Sequence, residues 1–208
     1  MEFLKEGQKV VVKYNENETK IGQIIEVDDL DSEMPYRVQY KDGSKIWVYA
    51  TDVEPYNPRR KVYLAGPFFS DKQIEIVNEL HGALNENKSI ESVFVPMEHQ
   101  MNDGDLEEFT APWAQAVAMN DYKNVREADI VVAIVDFDGQ DMDSGTAAEI
   151  GYAYAIGKPV FLFHKENHEI MVNLMVTEVA QAYFTDLQQV KDYNFTTQEK
   201  IPFSGKYR

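Results

Sequence analysis

Cysteine is absent from the 208 residues, which excludes disulfide staples, thiolate metal sites and a cysteine nucleophile. Basic residues are scarce beside acidic ones: 20 Lys and Arg face 36 Asp and Glu, for a formal charge of −16. Phosphate backbones are held by clustered Lys and Arg, so nucleic acid is not an expected partner. Long apolar runs are missing too. None approaches the roughly 18 residues of a membrane-spanning helix, and the opening Met-Glu-Phe-Leu-Lys-Glu-Gly lacks the basic-then-apolar order of a signal peptide. The expectation is a soluble, cytoplasmic chain with no membrane partner. Neither a P-loop nor a GxGxxG fingerprint occurs, so there is no glycine-rich phosphate cradle. Histidine is rare, at four residues. His164 and His168 stand four apart, but no third ligand or HExxH context goes with them. They read as surface residues, and neither a metal nor another cofactor is expected.

What is present divides near residue 56. Hydrophobic residues make up 44% of the chain, enough for a packed core. Residues 9–14, 20–27, 36–40 and 45–49 are short β-like runs between turn-rich pieces. Asp42-Gly43 between alternating apolar residues signals a hairpin. Residues 1–56 therefore predict a small β-barrel, and 57–60, within Pro55-Tyr-Asn-Pro-Arg-Arg60, a linker. From 61 to 208 strands and helices alternate. Strands are expected at 62–65, 92–95, 130–135 and 160–163, with helices from the Ser70-Asp71 cap to about 87, over 108–127 and over 145–156. Regular alternation predicts an α/β fold, a doubly wound parallel sheet with helices on both faces.

Three places could carry chemistry. After the run 130–135 comes an acidic loop with Asp136, Asp138, Asp141 and Asp143, and Glu149 follows in the next helix. A carboxylate just past a strand's carboxyl end lies where open α/β sheets bind ligands. The structural alternative is a capping box, Thr146-Ala-Ala-Glu149, with acids that merely suit a helix N-terminus. Small neighbours, Gly145, Ala147, Ala148 and Gly151, argue for room beside Glu149. The second place is Val62-Tyr-Leu-Ala-Gly-Pro-Phe-Phe-Ser-Asp-Lys-Gln73, a strand running into an aromatic loop, whose structural alternative is a second capping box from Ser70 to Gln73. Only Lys72 brings positive charge there, which disfavours a phosphorylated ligand. The third is the helical stretch Trp113 to Asp121, where a lone Asp otherwise reads as solvated.

Together these pieces resemble the nucleoside 2-deoxyribosyltransferases over residues 61–194. The segments, in order, are Tyr63 to Gln73, Val95-Pro-Met-Glu-His-Gln100, Trp113 to Asn120-Asp121, Asp143 to Ala153 and Asn173-Leu-Met175, followed by the Lys191-Asp-Tyr-Asn-Phe195 tail. The resemblance implies a flavodoxin-like sheet and an enzyme that moves 2-deoxyribose from a 2′-deoxynucleoside to a free nucleobase. Glu149 is then the nucleophile, Asp143 the proton relay, Asp121 a holder of deoxyribose or base, and Tyr63 the group that orients Glu149. Gly66, Phe68, Phe69 and Trp113 line the base and sugar, and Gln100 contacts the base. Asn173 and Met175 reach a neighbouring subunit's site, which implies a homo-oligomer, a hexamer built from dimers.

The N-terminal module lies outside the minimal enzyme. It looks Tudor-like, and its seven Lys and Arg against twelve Asp and Glu disfavour nucleic acid. Its own partner is unknown. Core packing is expected to account for most of Tyr36, Tyr40, Trp47 and Tyr49. Other functions on the same scaffold are hydrolysis of 2′-deoxynucleosides or of their 5′-monophosphates, and non-catalytic nucleotide sensing. A phosphoribohydrolase would want a Gly-Gly pair before the Thr, where this chain has Asp143-Ser-Gly145.

Overall fold

The computed structural model describes residues 3–15, 18–56, 58–99, 106–138, 142–165 and 169–208. They fall into two compact units, Met1–Pro58 and Arg59–Arg208.

In the first unit, β1 (Lys9–Asn15), β2 (Glu18–Val27), β3 (Tyr36–Tyr40), β4 (Lys45–Val48) and β5 (Val53–Pro55) form one antiparallel sheet in the order β4-β3-β2-β1-β5. Period-two alternation sends Tyr36, Val38 and Tyr40 inward. They join Val10, Val12, Ile24, Val48 and Val53 in a small core. The β3–β4 hairpin turns at Gly43, whose φ of +84° suits glycine. Tyr36 and Tyr40 are core residues, but Trp47 and Tyr49 are 37% and 51% exposed, against the expectation that packing takes up most of the four. The barrel is also open. β4 and β5 are the sheet's edges and no pairing joins them among the described residues, because three-residue β5 spends its ladder on β1 alone.

The second unit contains β6 (Arg60–Ala65), α1 (Asp71–Glu86), β7 (Ile90–Phe94), α2 (Ala111–Glu127), β8 (Ile130–Ile134), α3 (Ser144–Ala155), β9 (Val160–Phe163), β10 (Met171–Val172), α4 (Leu174–Thr177), β11 (Ala180–Phe184), α5 (Leu187–Asp192) and β12 (Lys206–Tyr207). β6 starts at Arg60, inside the stretch read as a linker. Five strands run parallel in the order β11-β9-β8-β6-β7. This is the flavodoxin-like doubly wound order, which reverses between β6 and β8 and opens a crevice at their carboxyl ends. β8 and β9 are buried throughout, as strands covered on both faces must be. Val62, Leu64, Ile130, Val132 and Ile134 pack with α1 and α5 on one face. Tyr63, Ala65, Val131 and Ala133 pack with residues of α2 and α3 on the other.

Helix α1 is capped as expected. Ser70 Oγ accepts from the Gln73 N–H at 3.3 Å, and Gln73 Oε1 accepts from the Phe69 N–H at 2.7 Å, one residue before the cap. Helix α2 begins at Ala111 rather than 108. Phe109 sits at φ +64°, a left-handed conformation that no helix continues, and Pro112 falls in the first turn, where it loses nothing.

Candidate active site

Alternation along β6 turns Tyr63 toward α2 and α3. It is fully buried, and its hydroxyl donates to Glu149 Oε1 at 2.5 Å. Phe94 of β7 stacks on the Tyr63 ring at 5.7 Å and fixes it from the other side. Burial, then the charge of Glu149, raises the Tyr63 phenol well above the ordinary tyrosine range, so it stays a donor. Burial likewise pushes Glu149 up to about 7. The Tyr63 bond pulls the other way, and Asp121 and Asp143 add to the rise. Burial pushes Asp121 up to about 6.

The capping box expected from Thr146 to Glu149 does not form. The N-cap of α3 is Asp143, whose Oδ2 accepts from Thr146 N at 2.8 Å and Thr146 Oγ1 at 3.2 Å. Helix α3 therefore starts at Ser144, too early for Glu149 to be its third residue. Glu149 instead reaches across to Tyr63. Gly145 leaves room for the cap, since a Cβ there would stand 2.9 Å from Asp143 Oδ2. Gly151 is exposed with open space beside it, so it makes no room for a ligand near Glu149.

A cavity of about 410 Å³ lies at this end of the sheet. Glu149, Asp143 and Asp121 line it together with Gly66, Phe68, Phe69 and Trp113. Among the described residues, no Lys or Arg lines it. The two loops that frame it are tied together. Gln73 Nε2 donates to Asp138 Oδ2 at 2.7 Å, and Ser70 Oγ to the same oxygen at 3.3 Å. Among the described residues no three His, Asp or Glu side chains gather as metal ligands, and no helix is long and apolar enough to cross a membrane. An oriented, half-buried carboxylate beside two further acids, between aromatic walls, can attack an electrophilic carbon and stabilise positive charge on it.

The family model for nucleoside 2-deoxyribosyltransferase matches residues 62–192. The chain belongs to this family. It is similar to the nucleoside deoxyribosyltransferase of Lactobacillus leichmannii, 30% identical over 146 residues, which are 66% of this chain and 91% of that one. The enzyme of the same name from Limosilactobacillus fermentum is 29% identical over 154 residues, 69% of this chain and 90% of that one. Among solved structures, the 2-deoxyribosyltransferase of Bacillus psychrosaccharolyticus superposes with a TM-score of 0.61 at 35% identity, covering 69% of this chain and 98% of its own. A conserved protein from Enterococcus faecalis V583, at 22% identity and a TM-score of 0.53 over 64% of this chain and 96% of its own, shares the fold.

Within the family-matched stretch, seven of the expected site residues share one cavity, and Tyr63 lies directly behind Glu149. Gly66 has a packing reason as well, since a Cβ there would come 2.9 Å from Ile134 Cδ1. Gln100 lies outside the described residues, as do Asp141 and His168. Asn173 and Met175 do not line the cavity. Asn173 caps α4 by accepting from the Met175 N–H at 2.9 Å, and Met175 is 72% exposed. The cavity also holds Pro96, His99, Glu108, Phe109, Val117, Asn120 and Thr146, to which the sequence reading gave no role in the site. Val117 and Asn120 were legible, because Trp113, Val117, Asn120 and Asp121 follow the i, i+4, i+7, i+8 spacing of one helix face. His164 corrects an expectation. It is buried, with Nδ1 2.9 Å from Tyr183 Oη and Nε2 3.8 Å from Asp136 Oδ1, because neighbouring β11 supplies a partner that sequence spacing does not reveal.

Proposed function

We propose that the chain transfers 2-deoxyribose between nucleobases by double displacement through a covalent deoxyribosyl–Glu149 intermediate. The observation that carries this reading is the Tyr63–Glu149 pair at 2.5 Å, set in an apolar-walled cavity. Tyr63 holds Oε1, which leaves Oε2 to attack C1′ of the nucleoside while the bond from C1′ to the base nitrogen breaks. The departing base takes a proton. A second base then attacks C1′, displaces the carboxylate and returns the proton, restoring the original anomer.

Sequence resemblance gives the proton relay to Asp143. The hydrogen bonds favour dividing the work, because Asp143 Oδ2 is engaged by the helix cap. Asp121 lies in the same cavity with a carboxyl pushed up to about 6, so it keeps its proton to higher pH than a free carboxyl does and can lend it to the leaving base. We assign that transfer to Asp121 and leave Asp143 to fix α3 and the sugar. Phe68, Phe69 and Trp113 wall the base and sugar, and Gln100 remains the expected polar contact to the base. The carboxylate-rich lining without Lys or Arg supports uncharged nucleosides over 5′-monophosphates.

Exposed Met175 and Leu174, beside Asn173, support an oligomer in which these residues complete a neighbour's cavity. Residues 61–208 form the catalytic part of this reading, and 1–56 an accessory module. Incubation with deoxyinosine and adenine tests it: deoxyadenosine and hypoxanthine should appear together. Hypoxanthine with free deoxyribose would mean hydrolysis, and no turnover would contradict the reading.

A further inference from the structure

A column of three rings ends at the cavity. Phe94 stacks on Tyr63 at 5.7 Å and 16°, and His99 stacks on Phe94 at 4.5 Å and 28°. His99 is the outermost ring and lines the cavity. Its Nδ1 lies 3.0 Å from the carbonyl oxygen of Val95. A carbonyl only accepts, so Nδ1 carries the proton and Nε2 of the neutral ring is an acceptor. Glu108, also on the lining, is an acceptor when ionised. His99 and Glu149 line the same cavity, so a base on a C1′ held at Glu149 shares that space with His99.

We propose that His99 is a specificity-determining residue, favouring nucleobases with an exocyclic amino group over those with an oxo group at the same position. The proposal rests on the transferase reading above. The amino group of adenine or cytosine donates to His99 Nε2. The 6-oxo group of hypoxanthine sets a lone pair against a lone pair, and a site shaped for a donor discriminates against a base without one. The stack on Phe94 and the bond to Val95 fix the ring in advance, so little freedom is lost on binding.

The test uses deoxyuridine as common donor and purine, adenine and hypoxanthine as acceptors at pH 8, where free imidazole is neutral. With kcat/KM referred to purine, which has no exocyclic group, adenine should exceed hypoxanthine by about tenfold, mainly through KM. His99→Phe keeps a ring on Phe94, and the Val95 carbonyl keeps its 3.0 Å bond from the Glu98 N–H. In that variant the adenine-to-hypoxanthine ratio should fall to within about twofold of one. A wild-type ratio at or below one overturns the proposal without recourse to any variant, and so does a folded His99→Phe that keeps the wild-type ratio. Exchange with an unselective wild type sinks this proposal alone. Absence of exchange with all three bases, together with no deoxyadenosine from deoxyinosine and adenine, sinks the transferase reading and this inference with it.

Discussion

Glu149 and Asp121 bind protons more tightly in the folded chain than free carboxylates do, because burial disfavours their charged forms. Their contribution to stability is therefore full below about pH 4 and is lost as pH rises through about 6 for Asp121 and about 7 for Glu149. Glu149→Gln should accordingly be more stable than wild type at pH 8, by on the order of 2–3 kcal/mol, with the gap closing below pH 4. Urea unfolding at the two pH values measures it. The same shift governs activity, since only the ionised carboxylate attacks. With Glu149 required ionised and Asp121 required protonated, kcat/KM should pass through a maximum between about pH 6 and about pH 7 and fall on either side. Tyr63→Phe removes the bond that lowers the Glu149 value, so its limb should move to higher pH, with transfer roughly 10- to 100-fold slower. Asp121→Asn removes the proton donor and should slow transfer strongly, and because it also removes a neighbouring charge the Glu149 limb of the residual activity should move the other way. A shift of both variants in one direction would contradict this account of Glu149.

At the scale of elements, the placement of Glu149 depends on where α3 begins, and Asp143 sets that start. Asp143→Ala should lower unfolding stability by about 1 kcal/mol, whereas Asp143→Asn, which still caps, should stay within a few tenths of wild type. Equal losses in the two variants would remove the cap from the explanation. The boundaries of β3 and β9 could be read to the residue, because alternation in one runs between Pro35 and the Asp42-Gly43 turn, and the apolar run of the other starts after Pro159 and stops at the polar His164-Lys165. Other features could not be read this way. Thr146-Ala-Ala-Glu149 and Asp143-Ser-Gly-Thr146 are both competent helix starts. Only the reach of Glu149 to Tyr63, 86 positions away, accompanies the choice of the second. The start of α2 was misplaced because the left-handed backbone of Phe109 is a property of its loop. The burial of His164 comes from Tyr183 on a strand that is adjacent in space and distant in sequence.

For the whole molecule, the sheet order places the ends of β6 and β8 at the switch point; the alternation of elements anticipated a parallel sheet, and the family resemblance its flavodoxin-like order. The contribution proposed for Asn173 and Met175 would be a property of an assembly, which spacing within one chain cannot show. If the sites are shared, Asn173→Ala and Glu149→Ala should each abolish exchange when pure. Subunit mixing should then restore part of it, because some sites receive both intact residues. No recovery after mixing, confirmed by mass spectrometry of the mixed oligomer, would mean that each chain's site is self-contained. In the proposed reaction deoxyribose passes through Glu149. The most direct measurement is mass spectrometry of the protein quenched with acid after incubation with deoxyinosine alone. One added deoxyribosyl group on the peptide bearing Glu149, discharged on adding adenine to give deoxyadenosine, is the predicted result. Wild-type exchange in a folded Glu149→Ala variant, or the sugar found on another residue, would contradict it.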